Sequence, residues 1–180
     1  MTKFILIISC FFLLSMTYTE SVYIHSIKTI EGPSKSISDY QGKKLLIITL
    51  PIQQNVSNDS LLSSIDSLRA VQGSSLVIIA VPSYEDGYTP AIKNQLKNWY
   101  RTKLNTAVII TEGLYTRKTS GSQQHPLFKW LTDKNKNTHF DNDVTGPRQK
   151  FIVWKDGQII GSIASQTTIG SAVIHGLLQD

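Results

Sequence analysis

Nucleophilic sulfur is nearly missing from this sequence. Its 180 residues hold one cysteine, Cys10, inside the apolar run FILIISCFFLL from Phe4 to Leu14. If that run is removed on export, the mature chain has no thiol, no disulfide and no redox pair. The four histidines, His25, His125, His139 and His175, are dispersed without the His-x-x-His or cysteine spacing of a zinc site, so no metal is expected. His125 is expected to serve the start of a helix. The stretch His139-Phe140-Asp141-Asn142-Asp143 gathers oxygen and nitrogen ligands in one loop. It lacks the glycine and distal glutamate of a calcium-binding loop and reads as a polar turn. Glu85-Asp86 is the pair to examine for hydrolase or metal-enzyme chemistry built on new residues. No Gly-x-Ser-x-Gly elbow and no phosphate-cradling glycine loop is present, and no cofactor is implied. Asn55-Val56-Ser57 and Asn58-Asp59-Ser60 are formal glycosylation sequons, relevant only in a eukaryotic secretory pathway.

Composition narrows the class. Hydrophobic residues make up 41% and charged residues 17% of the chain, enough for one core and too ordered a balance for a disordered segment. The net charge of +5 is spread over scattered lysines and arginines with no aromatic–basic stripe, which argues against nucleic-acid binding. At the N-terminus, Lys3, the apolar run and the small residues Ser15, Thr17 and Thr19 have the layout of a secretory signal peptide. The run is shorter than the about 20 apolar residues that span a bilayer. The expected organisation is a signal peptide at 1–19 and a single domain at 20–180, secreted or periplasmic. The order Ile7-Ile8-Ser9-Cys10 leaves open a lipoprotein anchored through Cys10.

The elements that would position a site read clearly in the middle of the chain. Tyr23 to Ile30 alternates weakly, a short strand punctuated by Gly32-Pro33. Lys44 to Leu50 and Ser75 to Val81 are continuous branched-apolar runs, the pattern of strands buried on both faces. Leu61, Leu62, Ile65, Leu68 and Val71 recur at helical spacing, giving a helix from Asn58 to Val71 capped by Asn58 or Ser57 and ended by Gly73. A second helix opens at Thr89-Pro90 and runs to Leu104, since proline suits a first helical turn. Thr106 to Ile110 is a third strand and His125 to Lys134 a third helix. Lys150 to Trp154 and Gln158 to Ile163 flank Asp156-Gly157 as a hairpin. Gly170 to Leu178 is a last helix. This order predicts an α/β fold with one mixed central sheet flanked by helices.

Four ordered segments carry a family resemblance. His125-Pro126-Leu127-Phe128-Lys129-Trp130-Leu131 resembles the HPL(F/Y)KWL segment of glutathione peroxidases. Lys150 to Ile160 (KFIVWKDGQII) is similar to that family's KFLVDRDGKVV hairpin. Ser38 to Ile47 (SDYQGKKLLI) resembles its LSDYKGKVLLI approach to the first core strand. Val81 to Gly87 (VPSYEDG) stands where the family has FPCNQFG. The resemblance runs from about Tyr23 to the end and implies a thioredoxin-like fold.

The family's chemistry needs a selenocysteine or cysteine anion, supported by Gln, Trp and Asn side chains that lower its pKa and orient the peroxide. Extending the first core strand without a gap puts Gln54 at the nucleophile position, and a carboxamide has no redox chemistry. Glu85 takes the position of the Gln, where a carboxylate would raise the pKa of a neighbouring thiol. Counting back from Lys150-Phe151, Gly146 takes the place of the Trp and Pro147 that of the Asn, so both side-chain donors are lost. Ser83 stands for the segment's cysteine. Trp154 is expected to pack or lie at the surface rather than replace the lost Trp.

The expectation is an exported, inactive glutathione-peroxidase-like domain that binds an unknown protein or small molecule in a depression near Gln54, Glu85 and Pro147. The alternatives are a thiol-dependent peroxidase of that family, active in oxidative stress, or a hydrolase or metal enzyme built on new residues, with Glu85 and Asp86 the ones to examine. Export makes a direct prediction. Intact mass of protein recovered outside the cytoplasm should show a chain starting shortly after Thr17 or Thr19. A chain starting at Met1 would contradict it, and a lipidated Cys10 at the new N-terminus would establish the anchored form.

Overall fold

The computed structural model describes residues 20–179. The expected signal peptide and Cys10 lie outside the described residues. The core is a five-stranded sheet in the order β5-β4-β3-β6-β7. It is built from β3 (Lys44–Leu50), β4 (Leu76–Pro82), β5 (Ile109–Ile110), β6 (Lys150–Val153) and β7 (Ile159–Ile163). β4 runs parallel to β3, and β5 parallel to β4. β6 runs antiparallel to β3, and β7 antiparallel to β6. The expected mixed sheet and its closing hairpin are therefore present, turning at Gly157 in the left-handed region (φ 87).

Every residue of β3 and β4 is buried because helices cover both faces. Alternation sorts the side chains into two layers. Leu46, Ile48, Leu50, Ile78 and Ala80 pack with α1 (Val56–Gln72), α2 (Lys93–Arg101) and α5 (Ala172–Leu178) through Leu62, Ile65, Leu68, Leu96, Trp99, Tyr100, Ile174 and Leu178. Leu45, Ile47, Val77, Ile79 and Val81 face Leu127, Phe128, Trp130 and Leu131 of α3 (Pro126–Thr132). The short α4 (Lys134–Asn137) follows α3. Lys44 opens β3 as a buried cation. Its Nζ donates to the Leu178 carbonyl at 2.5 Å and lies 4.6 Å from the centre of the Trp154 ring, so Trp154 packs, as expected.

The boundaries depart from the sequence pattern where side chains claim backbone groups. α1 begins at Val56, with Asn55 as its cap: Asn55 Oδ1 accepts from the Asn58 amide at 2.9 Å. The side chain of Asn58 is turned back to the Gln53 carbonyl instead of capping. The expected strand from Thr106 contracts to Ile109–Ile110: residues 105–108 form a turn in which the Ala107 amide donates to Asn105 Oδ1 at 2.7 Å and the Val108 amide to the Asn105 carbonyl at 3.2 Å. The segment from Tyr23 is strand only at Ser26–Lys28 (β1), paired with Ser34–Ser36 (β2) in a separate two-stranded hairpin. β2, a Ser-Lys-Ser stretch, has no apolar alternation to betray it. The helix opened at Thr89-Pro90 is a tight 3-10 turn before α2, with the proline in its first turn as expected.

Among the described residues no helix is long and apolar enough to cross a membrane. One buried hydrogen bond ties a helix to the loop that leaves β3: Tyr100 Oη donates to the Pro51 carbonyl at 2.8 Å. Tyr100 is fully buried. Tyr100→Phe should leave that carbonyl unpaired and cost about 1–2 kcal/mol, read as a lower urea midpoint with an unchanged slope.

Candidate functional site

The loop after β3, the loop after β4 and the loop before β6 meet at one edge of the sheet, because β3 and β4 are parallel and β6 returns antiparallel beside β3. The first loop, Pro51 to Asn55, carries Gln54 to an exposed position just before α1. Three anchors shape this loop: Tyr100 on Pro51, Asn58 Nδ2 on the Gln53 carbonyl at 2.7 Å, and the Asn55 cap. Ile52 touches the second loop. A Cβ added to Gly87, whose φ of 100 is left-handed, would stand 2.9 Å from Ile52 Cδ1. Gly87 is therefore required for its turn, and a side chain there would have to push the end of Ile52 aside.

Glu85 sits in the second loop with its carboxylate surrounded by donors. Its carboxylate accepts from the backbone amides of Thr116 and Arg117, both at 2.9 Å, and from the hydroxyls of Ser83 at 2.5 Å and Ser120 at 2.6 Å. Burial pushes its pKa up, but the donors of Ser120, Ser83, Arg117 and Thr116 outweigh it and hold the carboxyl at about 2. Asp86 pairs with Arg117, and burial still moves its pKa up. The acidic pair thus fastens residues 83–87 to residues 116–120.

Gly146 and Pro147 lie in the third loop. Thr49 Oγ1 donates to the Gly146 carbonyl at 2.9 Å, and the Arg148 amide donates to the Thr49 carbonyl at 2.7 Å. Pro147 is half-buried. The loop's contribution to the site is Arg148, which the sequence did not single out. It sits at φ 72, unusual for a residue with a side chain, and its Nη2 donates to Ser57 Oγ at 2.8 Å and Asn58 Oδ1 at 2.5 Å. A guanidinium thus stands over the N-terminus of α1. Nothing in the hydropathy pattern marks Arg148.

A cavity of about 340 Å³ opens beside Gln54, lined also by Ile52, Gln95, Leu96, Asn98, Trp99 and Thr102. It extends toward α2 and takes in neither Glu85 nor Pro147. Its walls offer carboxamides over an apolar floor, with Trp99 held by its indole N–H to Asp59 Oδ1 at 2.7 Å. Such a surface can hydrogen-bond a ligand in both senses. It holds no sulfur, and among the described residues no group of three His, Cys, Asp or Glu could hold a metal ion.

The remaining candidates are structural. His125 Nδ1 accepts from the Leu127 amide at 3.3 Å at the start of α3, as expected. Burial, with His25 nearby, lowers its pKa to about 4. His25 is buried and its pKa lowered by the same cause, with Glu20 opposing and Lys136 assisting. The loop around His139 is a polar turn: Asp141 pairs with Lys118 at 2.5 Å, and Asp143 accepts from the Lys118 amide at 2.8 Å.

The comparisons with known proteins agree with the fold. Glutathione peroxidase 1 of Caenorhabditis elegans is 27% identical over 141 residues, 78% of this chain and 84% of that protein. The chain is similar to glutathione peroxidases. A probable phospholipid hydroperoxide glutathione peroxidase of Nicotiana tabacum is 24% identical over 153 residues, 84% of this chain and 88% of its own. The apo crystal structure of Trgpx superposes with a TM-score of 0.64 at 18% identity, covering 89% of this chain and 97% of that one. The fold of this glutathione-peroxidase-like chain is thioredoxin-like. No protein-family model matches it.

Acid should loosen the site in two steps. His125 has a folded pKa near 4 against 6.5 when free, so the unfolded chain takes up its proton first and stability falls between pH 6.5 and 4. Glu85 has a folded pKa near 2 against 4.5, so its contribution, complete above pH 4.5, is lost as pH falls toward 2. Urea midpoints measured along pH should decline through both windows. His125→Asn, which keeps a cap acceptor, should lessen the upper decline, the rest of which belongs to His25, and an unchanged slope would rule out the assignment. Glu85→Ala should cost about 3 kcal/mol at pH 7, a difference that narrows in acid.

Proposed function

We propose that this chain is an exported, non-catalytic glutathione-peroxidase-like domain that binds a ligand at the edge of the sheet beside Gln54. One observation carries the reading: residues 20–180 contain no cysteine, and Gln54 stands in the loop before the Asn55 cap of α1. Peroxide reduction by a protein thiol proceeds through oxidation of sulfur, and a carboxamide cannot take that part. Supporting this, Glu85 is consumed in fastening two loops, and Gly146 and Pro147 bring no side-chain donor. The amide-lined cavity next to Gln54 suits an uncharged polar molecule or a short peptide segment.

A second reading, a thiol-dependent peroxidase, is favoured by the names of the relatives. The two separate in one assay. The purified secreted chain should not reduce hydrogen peroxide or organic hydroperoxides with glutathione or a thioredoxin system as reductant. Gln54→Cys places a thiol in the loop before the Asn55 cap, yet without donors for the peroxide it should reach at most about one-thousandth of the rate of an active relative run in parallel. Adding Glu85→Gln should help little, because one carboxylate oxygen of Glu85 accepts from both the Thr116 and Arg117 amides, a carboxamide oxygen can take its place, and the side chain stays engaged between the two loops. Saturable, thiol-dependent turnover by the unmutated chain, absent from a heat-denatured control, would refute the non-catalytic reading.

A further inference from the structure

Both sequons of the chain fall on the first turn of α1, three residues apart, and the structure treats their asparagines in opposite ways. Asn58 is 6% exposed. Its Nδ2 donates to the Gln53 carbonyl at 2.7 Å and its Oδ1 accepts from Arg148 at 2.5 Å. A sugar on that nitrogen would have to occupy the space that the Pro51–Asn55 loop fills. Asn55 is exposed, in extended backbone at φ −161 and ψ 169. It caps α1 through Oδ1 alone, and among the described residues no group accepts from its Nδ2. The atom that holds the helix and the atom that would carry a sugar are therefore different atoms of one amide.

We propose that Asn55 is an N-glycosylation site of the secreted chain and that Asn58 is excluded, an inference that rests on the export reading. In the transfer, Asn55 Nδ2 forms a bond to the anomeric carbon of a lipid-diphosphate-linked oligosaccharide. The bond from that carbon to the diphosphate oxygen breaks, the lipid diphosphate leaves, and one Nδ2 proton goes to solvent. The Ser57 hydroxyl completes the acceptor motif while the chain is still extended. On folding, Ser57 turns to Arg148, and Asn55 keeps its Oδ1 on the Asn58 amide with the sugar outward. A chain modified at Asn58 could not close the loop, so folded, secreted molecules carry the sugar at Asn55. The oligosaccharide then stands next to Gln54, and whatever binds there must be small or must accommodate it.

The test is expression of the full chain in a eukaryotic secretory cell, with intact mass and N-terminal sequence of the medium protein before and after peptide N-glycosidase treatment. One glycan is expected, with conversion of residue 55 to Asp on release. Ser57→Ala, which destroys only the Asn55 sequon, should abolish it, and Ser60→Ala, which destroys only the other, should retain it. Neither substitution touches the cap or the buried Asn58. A processed but unglycosylated chain overturns the site while leaving export intact. A glycan lost in Ser60→Ala and kept in Ser57→Ala overturns the exclusion of Asn58. A chain retained in the cell with Met1 in place overturns export, and the site with it.

Discussion

Burial of β3 on both faces is the constraint from which the rest follows. A strand with no solvent side needs a helix layer on each face and a hydrogen-bonded neighbour on each edge, and this one has all four. Because its neighbours β4 and β6 run in opposite senses, the end of one and the beginning of the other come to the same side as the end of β3. Three loops with no sequence proximity are thereby stacked at one edge, and the start of α1 is set among them. This geometry belongs to the fold and survives whatever residues occupy the loops.

Within that frame, polar residues at this edge do structural work. Glu85 shows it best. A carboxylate with four donors in the 2.5–2.9 Å range is a fixed anion whose lone pairs are spoken for. Arg148 likewise spends its charge on neutral oxygens of the α1 start. The edge is thus rigid and polar, which suits recognition.

The sheet was legible because its strands announce themselves: KLLIITL and SLVIIAV are too apolar to lie at a surface. The layering of helices and the closing hairpin followed from periodicity and Asp156-Gly157. What was hidden depends on side chains reaching across the fold. β2 has no pattern. The shortening of the Thr106 segment depends on the Asn105 side chain, and the true start of α1 depends on the Asn55 cap. Gln54, Glu85, Gly146 and Pro147 could be placed by counting along the segments, but not the partners of Glu85, nor the reach of Arg148 from one loop to another. The cavity at Gln54 also opens toward α2, a direction no linear spacing encodes.

The latch between Lys44 and the Leu178 carbonyl joins residues 134 positions apart. β3 is the centre of the sheet, yet its β6 edge and its α5 face are supplied by the final quarter of the sequence. A nascent chain emerging from a ribosome or a translocation pore therefore exposes its most apolar strand well before the partners that cover it exist. Closure of the core waits on non-local contacts, the slow kind, and in the interval KLLIITL is an open edge for chaperones or for another copy's strand.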